Sequence, residues 1–282
     1  MLPILLQIGF VKIYTFGVFL VLALFWGAFF LWKNIRLTAF KEEEVFDGLI
    51  FALIGGAFVG RLLYVVLHFS DFGFNIVRFI LINGYPGFSL VGFLIGFFLA
   101  YLIFARTQKL RYMELIDYVI PALFLALAIG KVGSFFAGVE VGIQTNIPVA
   151  IKYANYDGMR HLTPLYESLL LFIGSFFAFW IMFTIRREAL SRGFLLWFFI
   201  WYFAGVYLAF DWIREGRVMI YNYSFYAGFS LVLLLTSSVY FLYYFRTAIL
   251  QSLIGSFQKK HVKPSHTGVH SKSKEKTGRG KK

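Results

Sequence analysis

The chain has 282 residues, 60% of them hydrophobic and only 15% charged, against about 25% charged in an ordinary soluble domain. That composition, with 37 Phe among its aromatics, excludes a water-soluble globular enzyme, and the lack of any cysteine excludes disulfides, thiolate nucleophiles and cysteine-ligated metals. The net charge of +13 resembles a nucleic-acid signal, but ten of the 27 basic residues fall between Arg246 and Lys282 with no aromatic interleaving, so an anchor on anionic headgroups is preferred and no nucleic-acid partner is expected.

Seven apolar blocks follow one another at residues 13–32, 45–67, 88–105, 115–136, 165–185, 194–213 and 223–245. Each is near the ~20 residues that cross hydrocarbon as a helix. None alternates apolar and polar like a barrel strand, so the backbone must satisfy itself within helices. The first block is too long for a removable signal peptide and has neither a basic leader nor a small-residue cleavage site, so it is expected to stay as a span.

Lys and Arg set the orientation. Lys33, Arg36 and Lys41 follow the first block; Arg106, Lys109 and Arg111 follow the third; Arg186, Arg187 and Arg192 follow the fifth; the basic tail follows the seventh. These are expected on the cytoplasmic side. Lys12, Arg78, Lys152, Arg160, Arg214 and Arg217, more thinly spread, are expected on the other. The expectation is an all-α integral membrane protein with seven transmembrane helices, N-terminus outside, C-terminus cytoplasmic, and a small extracytoplasmic cap. Residues 1–250 are expected to form the membrane domain, with an outside arm at 68–87 and a strand-containing cap at 137–164. Residues 251–282 are expected to be a basic, disordered cytoplasmic tail. No internal repeat is visible, which argues against a transporter of inverted halves.

An ionisable side chain at bilayer depth costs about 2.5–3.5 kcal/mol on insertion scales, so it needs a partner or a wet cavity. Arg61 sits inside the second block among Gly55, Gly56 and Gly60, and Lys131 near the outer end of the fourth. Asp211 and Arg214, at i and i+3 at the outer end of the sixth, are expected to share a face. Tyr166 and Glu167 open the fifth block just after His161 and Pro164. Each has a plain structural reading: a snorkelling side chain, an Asp211–Arg214 pair, glycines that merely let helices pack. Three cations near one leaflet, Arg61, Lys131 and Arg214, point instead to an anion site, most naturally for a lipid phosphate.

At these positions the chain resembles the prolipoprotein diacylglyceryl transferases. Gly130-Lys131-Val132-Gly133-Ser134-Phe135-Phe136-Ala137-Gly138, followed by Gly142, is similar to the family signature G-R-x-G-N-F-x-N-G-E-x-x-G with the same spacing of first and last glycine. His161-Leu162-Thr163-Pro164-Leu165-Tyr166-Glu167 resembles H-P-S-Q-L-Y-E, the proline shifted. Gly55-Gly56 through Gly60-Arg61-Leu62 and Tyr64 resembles G-G-x-x-G-A-R-L-x-Y; Ser89 through Gly92, Leu94 and Gly96 resembles S-F-H-G-G-L-I-G; Asp211-Trp212-Ile213-Arg214 resembles E-F-L-R.

The resemblance implies a seven-span enzyme of the bacterial cytoplasmic membrane. Its reaction moves the diacylglyceryl group of phosphatidylglycerol to the lipobox cysteine thiol of a preprolipoprotein, releasing glycerol phosphate. The partners expected are therefore phosphatidylglycerol, preprolipoprotein signal segments and membrane lipids. A thiol with pKa about 8.5 needs a base or a positive field, and a departing phosphate needs fixed cations. Arg61, Lys131, Gly133 and Arg214 are placed at the headgroup, with Arg61 and Arg214 acting also in catalysis. His161 is the available base, although a histidine bonded to Glu167 or a backbone carbonyl would merely hold the cap. Glu140 is a second candidate base. Ser89, Gly92, Tyr166, Glu167 and Asp211 are placed as supporting residues.

The departures from the family pattern are specific. Its His falls on Val91, the following Gly on Phe93, the signature Arg on Lys131, its Asn positions on Ser134 and Ala137, and its Glu on Val139, with Glu140 one place later. An Arg before the E-F-L-R segment falls on Tyr207. A catalytically degenerate binder of phospholipid or lipoprotein is thus an alternative. A channel or transporter would need charges through both leaflets, and a seven-helix receptor leaves the motif series without a reason. With no cysteine and five scattered histidines, no metal or organic cofactor is expected.

Overall fold

Before the first span the backbone takes a form the apolar blocks gave no hint of. β1 (Ile4–Ile8) and β2 (Val11–Tyr14) pair antiparallel, Gln7 opposite Lys12, through a turn at Gly9, whose φ of +60° suits glycine. The computed structural model describes residues 2–9, 11–81, 84–153 and 156–247; the basic tail expected at 251–282 lies outside them. α1 (Thr15–Ile35) leaves the hairpin directly, so the first span starts two residues later than expected because Ile13 and Tyr14 belong to β2. The Thr15 backbone N–H donates to Pro3, and its hydroxyl to Leu2, which tie the hairpin to the helix start.

α2 (Glu42–Leu67) is followed by two short helices, α3 (Phe69–Phe72) and α4 (Ile76–Ile80), within residues 68–87. Then come α5 (Leu90–Thr107), α6 (Tyr112–Ala137), the two-residue strands β3 (Ile151–Lys152) and β4 (Met159–Arg160), α7 (Thr163–Arg186) and α8 (Phe194–Asp211). A second small hairpin, β5 (Met219–Ile220) and β6 (Tyr223–Ser224), leads into α9 (Phe225–Tyr244). Seven helices, α1, α2 and α5 to α9, are long and apolar enough to cross a membrane, each within a few residues of an apolar block. Their outward faces carry Val21, Ile54, Phe176 and Trp180 at 64–71% exposure, apolar surface of the kind that faces lipid. The chain is a mostly helical, multi-pass membrane protein. Through Ser238 the described residues make one compact unit; a second begins at Val239, where the Arg246 guanidinium lies 3.8 Å from the Tyr243 ring centroid.

The broadest helix contacts are α2 on α5, α1 on α6 and α6 on α7. Glycines bring the first pair together: a Cβ on Gly55 would come 2.5 Å from that of Ala100, and one on Gly96 would come 2.5 Å from the Gly55 carbonyl oxygen. Close helix packing is thus what Gly55 and Gly96 allow. On the α6–α7 contact, Ser168 donates to the Ala128 carbonyl at 2.9 Å and Ser175 to that of Pro121 at 3.1 Å. These bonds set the register that puts Glu167 beside Lys131.

The opposite end of the bundle holds a buried acid that the sequence reading passed over. Asp117 on α6 is 2% exposed and accepts from the backbone N–H of Gly193 at 2.6 Å and Leu195 at 3.1 Å. Its carboxylate thus caps the start of α8 from a neighbouring helix, where unpaired donors and the helix dipole favour an anion. Asp117→Ala is expected to destabilise the fold by about 1–2 kcal/mol, seen as a lower Tm in detergent, with Asp117→Asn losing less because it keeps an acceptor.

Candidate active site

Gly138, with φ +68°, ends α6 in the left-handed conformation and turns the chain back, so that Glu140 returns to Lys131. The following segment runs between two others. Ile143 N–H donates to Ile213 O at 2.9 Å and Glu215 N–H to Val141 O at 2.9 Å on one side; His161 N–H donates to Ile143 O at 3.2 Å on the other. A Cβ on Gly142 would come 2.6 Å from both the His161 Cβ and its carbonyl oxygen, so glycine is what lets these backbones meet. Val141, Tyr153 and Leu162 form a small apolar core beneath, with Phe135, Ile151, Leu165 and Tyr166 packed on it.

This patch and the helix ends below it assemble a buried cluster of two cations and two carboxylates. Lys131, 4% exposed, places Nζ 2.5 Å from Glu140 Oε2 and 2.6 Å from Glu167 Oε2. The other oxygen of Glu167, a residue 1% exposed, takes Arg214 Nη2. One carboxylate thus holds both cations. Tyr207 presents its ring face to them, 4.1 Å from the Arg214 guanidinium carbon and 5.7 Å from Lys131 Nζ. At the position of the family's further Arg, this chain therefore carries a π face rather than a third charge. Burial pushes the Glu140 carboxyl up, but Lys131 and then Arg214 outweigh it and hold Glu140 below the usual carboxylate range. That makes it a poor proton acceptor.

Two of the plain structural readings do not hold. Asp211 does not pair with Arg214 through side chains: α8 ends at Asp211, the Arg214 N–H closes a turn on the Asp211 carbonyl at 3.2 Å, the Arg214 side chain goes to Glu167, and the Asp211 carboxylate accepts from the Ser224 hydroxyl at 3.0 Å. His161 does not bond to Glu167, whose oxygens face the two cations; its Nδ1 is buried without a partner among the described residues. The Tyr166 hydroxyl and Arg214 Nε are also buried and unpartnered there. Each such atom costs about 1–3 kcal/mol unless water or a ligand satisfies it.

Arg61 is not part of the convergence. Its Nε, Nη1 and Nη2 donate to the backbone carbonyls of Phe79, Gly87 and Arg78 at 2.8–2.9 Å, and its guanidinium lies 5.0 Å from the Phe72 ring centroid. The fork is occupied in holding the arm. Gly133 is packed against Phe19 of α1, where a Cβ would come 2.3 Å from that of Phe19. Ser89 caps α5, accepting from Gly92 N–H at 3.2 Å, and its hydroxyl lies 3.2 Å from that of Tyr226. Tyr226 in turn packs on Tyr207, with ring centroids 6.0 Å apart. Neither Tyr226 nor Ser224 stood out among the many aromatic and small residues of the sequence. Val91 is 4% exposed in the helix core and brings no titratable group.

Seven apolar helices, with cations buried and paired near the ends of α6 and α7, make this a multi-pass membrane protein. Residues 3–243 match the sequence profile of the prolipoprotein diacylglyceryl transferases, and the chain belongs to that family. It is 27% identical to the phosphatidylglycerol–prolipoprotein diacylglyceryl transferase of Clostridium tetani, covering 71% of this chain and 81% of that one. It is 28% identical to the proteins of the same name from Coxiella burnetii, over 81% of this chain and 94% of the relative, and Listeria monocytogenes, over 83% and 87%.

Proposed function

We propose that this protein transfers the diacylglyceryl group of phosphatidylglycerol to the lipobox cysteine of preprolipoproteins, in the bacterial cytoplasmic membrane, with its N-terminus and cap outside and its C-terminus in the cytoplasm. The observation that carries this reading is the buried Lys131–Glu167–Arg214 unit, lying where the family's motifs meet. The cysteine sulfur bonds to the diacylglyceryl carbon, the bond from that carbon to the phosphate oxygen breaks, and glycerol phosphate leaves with the electron pair. Lys131 and Arg214 stabilise the charge on the departing phosphate, where a desolvated setting strengthens each contact. His161, with Nδ1 unpartnered, takes the thiol proton. Glu167 fixes both cations, and Ser89, Gly92, Tyr166 and Asp211 hold the surrounding helix ends.

The test is transfer in vitro, using purified protein, phosphatidylglycerol and a lipobox peptide, with a Cys→Ser peptide as control. Cysteine-dependent gain of a diacylglyceryl mass with release of glycerol phosphate supports the enzyme. Lys131→Arg is expected to retain transfer and Lys131→Ala to lose it, since Lys supplies charge without a bidentate fork. A second reading, a lipid-binding relative without turnover, draws on Val91 and Tyr207 at the positions of a family His and Arg. Folded protein that binds phosphatidylglycerol and yields no product would favour it.

A further inference from the structure

The two cations and two carboxylates of the cluster cancel, so as it stands it has no net charge with which to attract an anion. The two carboxylates differ. Glu167 is held on α7 with an oxygen on each cation and is 1% exposed, whereas Glu140 lies past the end of α6, is 29% exposed and touches the cluster through one oxygen on Lys131. Arg214 meanwhile keeps a buried Nε donor with no acceptor among the described residues. A phosphodiester carries one negative charge and two non-bridging oxygens. Exchanging it for the Glu140 carboxylate keeps the cluster neutral, gives Lys131 a new anionic partner and offers Arg214 Nε the acceptor it lacks.

We propose that Glu140 is a placeholder for the substrate anion: its carboxylate holds Lys131 until the phosphodiester of a phosphatidylglycerol headgroup displaces it. This rests on the transfer reading for the identity of the lipid, but its test needs no turnover. Glu140 thereby sets substrate affinity as a positioning residue. It does not take the thiol proton, and its pairing with Lys131 protects a buried cation that would otherwise face Glu167 and Arg214 alone.

The experiment is equilibrium binding of dihexanoyl phosphatidylglycerol, dihexanoyl phosphatidylcholine and glycerol phosphate to full-length wild-type, Glu140→Gln and Glu140→Asp proteins in neutral detergent, each shown to be monodisperse. Removing the competing charge is expected to tighten phosphatidylglycerol binding about tenfold in Glu140→Gln, with zwitterionic phosphatidylcholine unmoved. Glu140→Asp, whose shorter arm weakens the Lys131 contact while keeping the charge, is expected to fall between. Tightening for both anions supports exchange by the phosphate itself; tightening for glycerol phosphate alone would overturn the assignment to substrate. Unchanged or weaker phosphatidylglycerol binding in Glu140→Gln would overturn the proposal, as would a hundredfold fall in kcat with no tightening, the mark of a proton acceptor. If wild-type protein binds phosphatidylglycerol but never transfers, the transfer reading fails and the placeholder still stands or falls on the binding shifts.

Discussion

Glu167→Gln is expected to abolish transfer and to destabilise the protein by about 3–5 kcal/mol, the cost of breaking a buried ion pair from one side. The residue is 1% exposed and each of its oxygens holds a different cation, Lys131 and Arg214, themselves 4% and 11% exposed. An amide matches the volume but not the charge. It offers a carbonyl oxygen and an NH2 group where two cations need acceptors, so one cation would face N–H donors in a desolvated setting. Glu140 can partly compensate Lys131, since it already lies 2.5 Å from Nζ, but its single contact leaves Arg214 without a counter-ion. Thermal unfolding in detergent and the transfer assay measure the two effects separately. A variant that keeps its Tm and loses only kcat would show that Glu167 acts on the reacting atoms rather than on the cations. Full activity would remove the cluster from the mechanism.

Arg61→Lys and Arg61→Ala are both expected to lose transfer by at least about a hundredfold, because the side chain works through its fork and not its charge. Three nitrogens reach three carbonyls on a segment that starts 17 residues away at Arg78 and ends 26 away at Gly87. A lysine ammonium cannot span that geometry. Losing these bonds orphans carbonyls at about 1–3 kcal/mol each and frees the arm that α3 and α4 form. The accompanying readout is proteolysis: Phe74, 97% exposed in the arm, is expected to become a faster chymotrypsin site in both variants. If Arg61→Lys keeps activity while Arg61→Ala loses it, charge is what matters and the headgroup role read from the sequence returns. If neither variant changes proteolysis, the arm does not depend on this contact.

These two residues mark the division between what was legible in the chain and what was not. Length and apolarity are local, and a run of about twenty apolar residues has only one economical fate in hydrocarbon, so each of the seven helices could be located to within a few residues. The positions of Lys131, Glu167 and Arg214 were legible for the same reason: a charge in such a run demands a partner. Asp117 met that criterion too and was missed, because it stands near basic loop residues and reads as part of that border. The terminal hairpin was hidden by apolar residues that suit a strand as well as a span.

The membrane class, the spans, the lopsided distribution of basic residues and the motif series can all be read from the residues in order. All of these depend on residues close together in the chain. Which side chains pair follows only from how the chain packs. Arg61 inside α2 is consumed by an arm, whereas Arg214 just past α8 reaches a carboxylate 47 positions away. Asp211 and Arg214 are three apart and joined by a backbone bond, yet their side chains take different partners, Ser224 and Glu167. A buried charge fixes that a partner must exist; only the packing of α6, α7 and the cap fixes which one, since desolvation penalises every unpaired arrangement and says nothing of which paired one the backbone can reach.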